Sequence, residues 1–162
     1  MNGIIKTTDL CDSHEGKVKV AQPLFKSFGA KKSFGGEIAT VKVFEDNVLV
    51  KEMLGENGKG KVLVVDGGGS LRCALMGDIL AKMAIDNGWE GVVIYGCIRD
   101  SAGIDKMNVG VKALSAIPVK SKKGGEGEMN ADVTFAGITF KPGQFVYVDE
   151  DGIIIAESNL LE

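Results

Sequence analysis

The stretch Lys61-Val62-Leu63-Val64-Val65-Asp66-Gly67-Gly68-Gly69-Ser70 begins as a continuous apolar run and ends in three glycines. Such a run is typical of a strand buried on both faces, and the glycines predict a tight turn after it. A second apolar run, Gly91-Val92-Val93-Ile94-Tyr95-Gly96, follows. The segment between the runs has a helical pattern that ends at Asn87-Gly88, with an apolar face formed by Ile79, Leu80, Met83 and Ala84. These elements make a βαβ unit, for which we expect parallel strands and a right-handed crossover.

Shorter elements are predicted on both sides of this unit. Periodicity leaves the start of the crossover helix open between Ser70 and Gly77. The other predicted elements are a helix over 8–14 capped by Thr7 or Thr8, a strand over 37–44, a helix from Asp46-Asn47 to Gly55, strands over 112–119, 133–140, 144–148 and 153–155, and a flexible loop over 124–128. We therefore predict a single α/β domain over residues 1–162, with a central βαβ core and several antiparallel strands.

The composition narrows the class of protein. The chain has 162 residues, of which 44% are hydrophobic and 25% charged, as in ordinary soluble globular domains. No apolar run approaches the roughly 18 residues of a membrane span, and the N-terminus lacks the pattern of a signal peptide, so we predict a cytoplasmic protein. The net charge is −3, and the basic residues form only small clusters at 31–32 and 120–123. This distribution argues against direct nucleic-acid binding.

The scarcity of soft metal ligands limits the possible chemistry. His14 is the single histidine, which excludes a histidine-rich metal site. The three cysteines form no C-x-x-C pair, so neither a zinc cluster nor a disulfide framework is indicated. We interpret His14 as a structural or surface residue and Trp89 as a packing residue. Cys97 has no basic partner other than Arg99, which argues against a role as a nucleophile.

Two groups of residues flank the predicted crossover helix. One is Gly77-Asp78-Ile79-Leu80, and the other is Gly96-Cys97-Ile98-Arg99-Asp100, directly after the second apolar run. In a βαβ unit the carboxyl ends of the strands and the N-terminus of the helix meet at one edge of the sheet, where N–H groups favour an anion. The glycine run at 67–69 matches neither a dinucleotide fingerprint nor a P-loop, so a tight turn is its plainer interpretation.

Arg99-Asp100 permits two interpretations. A solvated pair or a local salt bridge is common at a strand end. Alternatively, the guanidinium offers a planar pair of donors to a carboxylate or 2-oxo acid, and the carboxylate suits Mg²⁺ or Mn²⁺, which needs few protein ligands.

A family resemblance favours the second interpretation. The segments Ser33-Phe34-Gly35-Gly36, Val64 to Ser70 and Gly88-Trp89-Glu90-Gly91 resemble the regulator of ribonuclease activity A (RraA) family. The spacing of Asp78, twenty intervening residues and Arg99-Asp100 is similar to the motif of the metal-dependent 4-hydroxy-4-methyl-2-oxoglutarate aldolases. The resemblance extends from about Asp9 to Ile155.

The resemblance implies a swivelling α/β/β domain that forms a homotrimer, with sites at the subunit interfaces. It implies that the backbone of Gly77, Asp78, Ile79 and Leu80 holds the pyruvate carboxylate of a small 2-oxo acid substrate. Arg99 would bind the oxo acid and stabilise the developing charge, Asp100 would be the direct ligand of Mg²⁺ or Mn²⁺, and Asp78 would position metal-bound water. The implied reaction is cleavage of 4-hydroxy-4-methyl-2-oxoglutarate, or a related acid, to pyruvate, with oxaloacetate decarboxylation as a side activity.

Two matters stay open at this stage. The alternative function is that of a non-catalytic regulator that binds and inhibits ribonuclease E. The aldolases that the chain resembles also carry a longer C-terminal segment that lends an acidic residue to the neighbouring site, and whether Glu157 or Glu162 takes that role here is open.

Overall fold

The computed structural model describes residues 4–161, which form four short helices and twelve strands. None of the described helices is long and apolar enough to cross a membrane. The helices are α1 (Thr7–Ser13), α2 (Val48–Leu54), α3 (Asp78–Asp86) and α4 (Ser101–Ile104). The strands are β1 (Val18–Val20), β2 (Lys26–Phe28), β3 (Phe34–Lys42), β4 (Lys61–Asp66), β5 (Ala74–Met76), β6 (Gly91–Ile98), β7 (Val111–Ala116), β8 (Glu128–Met129), β9 (Val133–Phe135), β10 (Ile138–Phe140), β11 (Phe145–Asp149) and β12 (Gly152–Ala156).

A mixed sheet forms the centre of the domain. Its strand order is β1-β12-β11-β3-β4-β6-β7-β2, while β5 pairs with β6 and β8 with β3. The strands β3, β4, β6 and β7 pair in parallel, and β1, β12, β11 and β2 add antiparallel pairs at the two sides. The predicted βαβ unit is confirmed as β4, α3 and β6, with Val64 opposite Val93.

The two faces of the sheet carry separate cores. Leu63 and Val65 of β4 face a cluster to which α2, α3 and α4 contribute, whereas Val62 and Val64 face a second cluster. The second cluster includes both strands of the β9–β10 hairpin, through Val133, Phe135, Ile138 and Phe140. Because β4 is covered on both faces, it can consist almost entirely of apolar residues. The predicted α/β/β class is confirmed by these three layers.

The prediction of one strand over 133–140 is wrong, because the chain reverses within it. Ala136 and Gly137 both have positive φ, at 51° and 79°, and they join β9 to β10 with Phe135 opposite Ile138. Two successive left-handed residues make the tight turn that suits antiparallel strands. Alanine at the first of these positions concealed the turn in the sequence.

The crossover contains a strand that was not predicted. The glycine run leads into β5, which lies beside β6, and α3 begins at Asp78, directly after Gly77, the later of the two starts that periodicity left open. Gly68 and Gly69 have positive φ, and the N–H groups of Gly67 and Gly69 donate to the carbonyl of Tyr95. Ile79, expected on the buried face of the helix, is 77% exposed, and Leu80 and Ala84 face the core.

The first helix receives no cap from its own threonines. Its N-cap residue is Lys6, without a side-chain hydrogen bond. The N–H and hydroxyl groups of Thr7 both donate to the carboxylate of Asp149, at 2.8 and 2.7 Å. A carboxylate from β11 therefore satisfies the start of α1, and the predicted capping by Thr7 or Thr8 is wrong.

Candidate active site

The predicted site residues lie around one cavity of about 190 Å³ at the N-terminus of α3. Gly77, Asp78, Ile79 and Leu80 come from the start of that helix, and Arg99-Asp100 follows β6. The cavity is completed by residues of three other segments: Asn47, Lys51, Ala74, Lys120, Ser121 and Lys123. The strand ends and the helix start thus meet at one edge of the sheet, as a βαβ unit requires.

Asp100 turns back toward the helix start. Its backbone is left-handed, with φ 58° and ψ 37°, which costs a non-glycine residue roughly 1–3 kcal/mol. The N–H of Asp78 donates to Oδ2 of Asp100 at 3.1 Å. One carboxylate oxygen is thereby fixed at the helix N-terminus, and this orients the side chain at the cavity.

Gly77 leaves the room that this arrangement needs. A Cβ at position 77 would lie 2.6 Å from Oδ2 of Asp100 and 3.4 Å from Cγ of Arg99. Its φ of −118° is open to any residue, so the requirement for glycine is steric and not conformational. The backbone N–H of Arg99 donates to the carbonyl of Met76 at 2.9 Å and fixes the two chain segments against each other.

The guanidinium of Arg99 is not neutralised by any carboxylate within residues 4–161. Arg72 behaves differently: its Nε and Nη2 donate to the two oxygens of Glu45 at 2.6 and 2.9 Å. The interpretation of Arg99-Asp100 as a local salt bridge therefore has no support in the described part of the chain. A half-exposed guanidinium beside an open cavity suits an anionic ligand.

Three lysines at the cavity were not predicted as site residues. Lys51 lies in α2, and Lys120 and Lys123 follow β7. The Nζ of Lys123 donates to Oδ1 of Asn47 at 3.2 Å. The basic cluster at 120–123 was the available signal in the sequence, but nothing in the spacing connected it with α3 or β6.

The side chains at the cavity fit a hard divalent cation. The described residues contain no group of three or more histidine, cysteine or acidic side chains that could hold a metal ion. The available metal ligands are the carboxylate oxygens of Asp100 and Asp78, which both line the cavity. Oδ2 of Asp100 already accepts a hydrogen bond from the backbone N–H of Asp78. Mg²⁺ and Mn²⁺ suit this donor set, because such ions bind through one or two carboxylates, water and substrate oxygens.

Residues interpreted as structural have the expected surroundings. Burial raises the pKa of the Cys97 thiol, which is 1% exposed, and this disfavours a thiolate nucleophile. The Nε1 of Trp89 donates to the carbonyls of Leu54 and Glu56 and holds the end of α2. The Nδ1 of His14 lies 3.0 Å from the carbonyl of Leu10 in its own helix.

A larger cavity, of about 420 Å³, lies elsewhere, between β1, β12 and the end of the β9–β10 hairpin. Its lining includes Glu157, Lys17, Lys19 and Lys141 but no residue of the predicted motif. The smaller cavity joins carboxylates, a guanidinium and a helix N-terminus, so we place the candidate chemistry there. Glu162, the other acidic candidate near the C-terminus, lies outside the described residues.

A family model described as RraA-like, Aldolase/RraA, matches residues 7–155. The chain belongs to the RraA-like family. A Dechloromonas aromatica protein named "Putative 4-hydroxy-4-methyl-2-oxoglutarate aldolase" is 56% identical over 155 residues, covering 93% of this chain and 95% of its own length. A Pseudomonas aeruginosa protein with the same name is 57% identical over 154 residues, covering 95% of both chains.

Two solved structures are similar over nearly the whole RraA-like chain. One, named as an S-adenosylmethionine:2-dimethylmenaquinone methyltransferase from Geobacillus kaustophilus, has a TM-score of 0.95 and 51% identity, covering 97% of this chain and 98% of its own. The other, named "RNA-processing inhibitor RraA from Thermus thermophilis", has a TM-score of 0.91 and 43% identity, covering 98% and 94%. These names describe three different activities, so the choice among them must come from the site.

Proposed function

We propose that the chain is a divalent-metal-dependent aldolase that cleaves 4-hydroxy-4-methyl-2-oxoglutarate, or a related 4-hydroxy-2-oxo acid, to pyruvate. The observation that carries the proposal is the meeting of three groups in one cavity: the oriented carboxylate of Asp100, the guanidinium of Arg99 without an ion-pair partner in residues 4–161, and the N-terminus of α3. Each group suits a different part of a 2-oxo acid or its cation.

The substrate's two ends would be bound by different parts of the cavity. The first N–H groups of α3, at Ile79 and Leu80, have no acceptor inside the helix and suit the carboxylate next to the keto group. Arg99 would donate to the keto oxygen. The ammonium groups of Lys120 and Lys123, which also line the cavity, would bind the far carboxylate.

The reaction needs stabilisation of one developing negative charge. A base takes the proton of the C4 hydroxyl, the C3–C4 bond breaks, and its electron pair forms the enolate of pyruvate, which then accepts a proton at C3. Arg99 would donate to the enolate oxygen, and Asp78 would orient the water that carries the protons. Asp100 would hold the divalent cation, which would supply further positive charge to stabilise the enolate. Decarboxylation of oxaloacetate breaks the corresponding C3–C4 bond, releases CO₂ and gives the same enolate, so we expect it as a second activity.

The test is pyruvate release from 4-hydroxy-4-methyl-2-oxoglutarate and from oxaloacetate after removal of metal with a chelator. We expect turnover to return when Mg²⁺ or Mn²⁺ is added. Because free cations also decarboxylate oxaloacetate, the matched control is Asp100→Asn at the same metal concentration. Asparagine keeps the shape of Asp100 and tolerates the left-handed backbone, so this variant should fold and be inactive.

Two results would contradict the proposal. Full turnover in excess chelator would remove the cation from the reaction. Turnover by Asp100→Asn equal to that of the unmodified chain would remove Asp100 from it.

The likeness to the Thermus protein named as an RNA-processing inhibitor supports a second candidate, a regulator that binds ribonuclease E. A regulator's effect would not depend on the cavity. Inhibition of ribonuclease E that is equally strong with Asp100→Asn, together with no pyruvate release by the unmodified chain, would favour regulation over catalysis.

A further inference from the structure

One wall of the candidate site is a segment without helix or strand, residues 119–126, here called the lysine strap. It carries Lys120 and Lys123 to the cavity. Backbone hydrogen bonds join it to β5 and to the chain before α2: Ala74 N–H to the Val119 carbonyl at 2.8 Å, Lys122 N–H to the Glu45 carbonyl at 2.8 Å, and Asn47 N–H to the Lys122 carbonyl at 3.3 Å. The second half of the strap overlaps the glycine-rich stretch predicted as a flexible loop.

The carboxylate of Asp46 holds that second half in place. Its Oδ2 accepts from the N–H groups of Gly124 at 2.8 Å, Gly125 at 2.9 Å and Glu126 at 3.5 Å, and Oδ1 accepts from Val48 at 3.0 Å. Only 4% of the residue is exposed. A buried carboxylate from a distant part of the chain therefore binds three successive N–H groups of the predicted loop. The prediction of a loop is wrong at its far end, because Glu128 belongs to β8 and pairs with β3.

Burial and hydrogen bonding act on Asp46 in opposite directions. Burial raises the pKa of the carboxyl group, but the N–H groups of Val48, Gly124, Glu126 and Gly125 lower the pKa more, and the net shift is downward. Asp46 therefore carries its charge at neutral pH, and its contacts with the strap are charge-assisted.

The position of Asp46 connects this anchor with the site. Its neighbour Asn47 lines the cavity and accepts from Lys123, which lies one residue before the anchored Gly124. A lysine side chain loses much conformational freedom when it is fixed, so a rigid backbone on both sides of Lys123 lowers the entropy cost of binding an anion.

We infer that Asp46 is a positioning residue that fixes the lysine strap, so that the strap's lysines recognise substrates with a second carboxylate. This role rests on the proposed function and deepens it, because it assigns the choice between one and two carboxylates to the strap. A purely structural role for Asp46 would change stability and leave that choice unaltered.

The test compares two reactions that share the pyruvate enolate. Cleavage of 4-hydroxy-4-methyl-2-oxoglutarate uses a substrate with two carboxylates, both of which stay on the products. Exchange of the pyruvate methyl protons in D₂O, followed by NMR, uses a substrate with one. For Asp46→Asn we expect the ratio of kcat/KM for this cleavage to kcat/KM for pyruvate exchange to fall about tenfold, mainly through a higher KM for the substrate with two carboxylates. Hydrogen exchange at the amides of Gly124 and Gly125 should accelerate in the same variant.

Two further variants keep the inference testable if Asp46→Asn folds poorly. Gly125→Ala disturbs the backbone of the strap, because φ at Gly125 is +87° and alanine rarely adopts that conformation. The added Cβ would not clash, since its nearest neighbour is Val48 Cγ1 at 3.8 Å. We expect this variant to lower the same ratio. In a Lys123→Ala background neither change should lower the ratio much further, because the lysine next to the anchored Gly124 is absent.

Failure of the proposed function and failure of the role of Asp46 would give different results. If the unmodified chain does not exchange the pyruvate methyl protons, the proposed function is wrong and the role of Asp46 in it falls too. If exchange occurs but Asp46→Asn and Gly125→Ala keep the unmodified ratio, the inference is overturned and the proposed function stands. Equal falls of the ratio in the presence and absence of Lys123 would also overturn it.

Discussion

Asp100 and Glu45 are non-glycine residues with left-handed backbones. Asp100 lines the candidate site, and the carbonyl of Glu45 accepts from Lys122 of the lysine strap. Asp100 carries the proposed metal ligand, and Glu45 precedes Asp46, the anchor of the lysine strap. Each such conformation costs roughly 1–3 kcal/mol and persists only where the surrounding contacts enforce it. The hydrogen bond from the Asp78 N–H to Asp100 and the one from the Lys122 N–H to the Glu45 carbonyl are contacts of that kind.

Arg99 offers the first prediction at the scale of single residues. Lysine would keep the positive charge but lose the planar pair of donors that grips an oxo acid. Because removal of one preorganised donor costs about 100- to 1000-fold in rate, we expect Arg99→Lys to lower kcat/KM for pyruvate formation by about that factor. The matched control is Arg72→Lys, whose guanidinium is already paired with Glu45.

Steady-state pyruvate release and thermal unfolding of both variants check this expectation. Arg72→Lys should keep its turnover, and both proteins should unfold near the temperature of the unmodified chain, because neither residue belongs to a core cluster. Equal turnover in the two variants would remove Arg99 from the site.

Gly77 gives a second prediction at this scale. In Gly77→Ala the new Cβ would displace the carboxylate of Asp100 or the side chain of Arg99, so we expect loss of turnover and weaker binding of Mn²⁺, measured by calorimetry. Gly103→Ala is the matched control, because its Cβ would meet nothing within 4 Å and alanine suits the helix α4. Unaltered Mn²⁺ affinity in Gly77→Ala would show that the cation does not bind at Asp100.

At the scale of elements, the sequence predicted the parts whose signal is local. The apolar runs identified β4 and β6, and the spacing between them identified the crossover α3. The strand β5 was missed because three residues carry too little periodicity. Its pairing with β6, not its own composition, makes it a strand.

The sequence likewise predicted only the part of the site whose signal is local. Both walls of the βαβ edge were predicted, because strand ends and a helix start meet there in any such unit. The rest of the lining, with Asn47, Lys51 and the lysine strap, consists of segments distant in sequence. One contact between them is that of Asp46 with residues 124–126, and periodicity cannot indicate a carboxylate that binds backbone N–H groups 78–80 residues away.

That contact gives a prediction for the whole strap element. Because the pKa of Asp46 is lowered on folding, its stabilising effect is complete above the unfolded pKa of about 3.9 and is lost as the pH falls through the folded value. The difference in unfolding free energy between the unmodified chain and Asp46→Asn should therefore shrink below about pH 4. Urea titrations at several pH values measure it, with the exposed Asp132→Asn as the control. A difference that stays constant into acid would contradict the charge-assisted anchor.

At the scale of the whole molecule, the position of Glu157 bears on assembly. Family resemblance implies that an acidic residue near the C-terminus completes a neighbouring site. Glu157 follows β12 and lines the larger cavity, not the candidate site of its own chain. The following segment is fixed, because the hydroxyl of Tyr147 donates to Oδ1 of Asn159 at 3.0 Å and accepts from the N–H of Leu160 at 2.7 Å. Glu157 therefore does not line the candidate site of its own chain.

We predict a homotrimer in which Glu157 of one subunit acts at the site of the next. Light scattering should give three times the chain mass of 17.1 kDa, and a monomeric mass at micromolar concentration would contradict the assembly.

Asp100→Asn and Glu157→Gln should each be inactive alone. If the two are unfolded and refolded together, a site with intact Asp100 meets an intact Glu157 in about a quarter of random neighbour pairs, so activity should return to about a quarter of that of the unmodified trimer. If the mixed trimers recover no activity, each site is formed by a single chain, and no acidic residue of a neighbouring subunit takes part in catalysis.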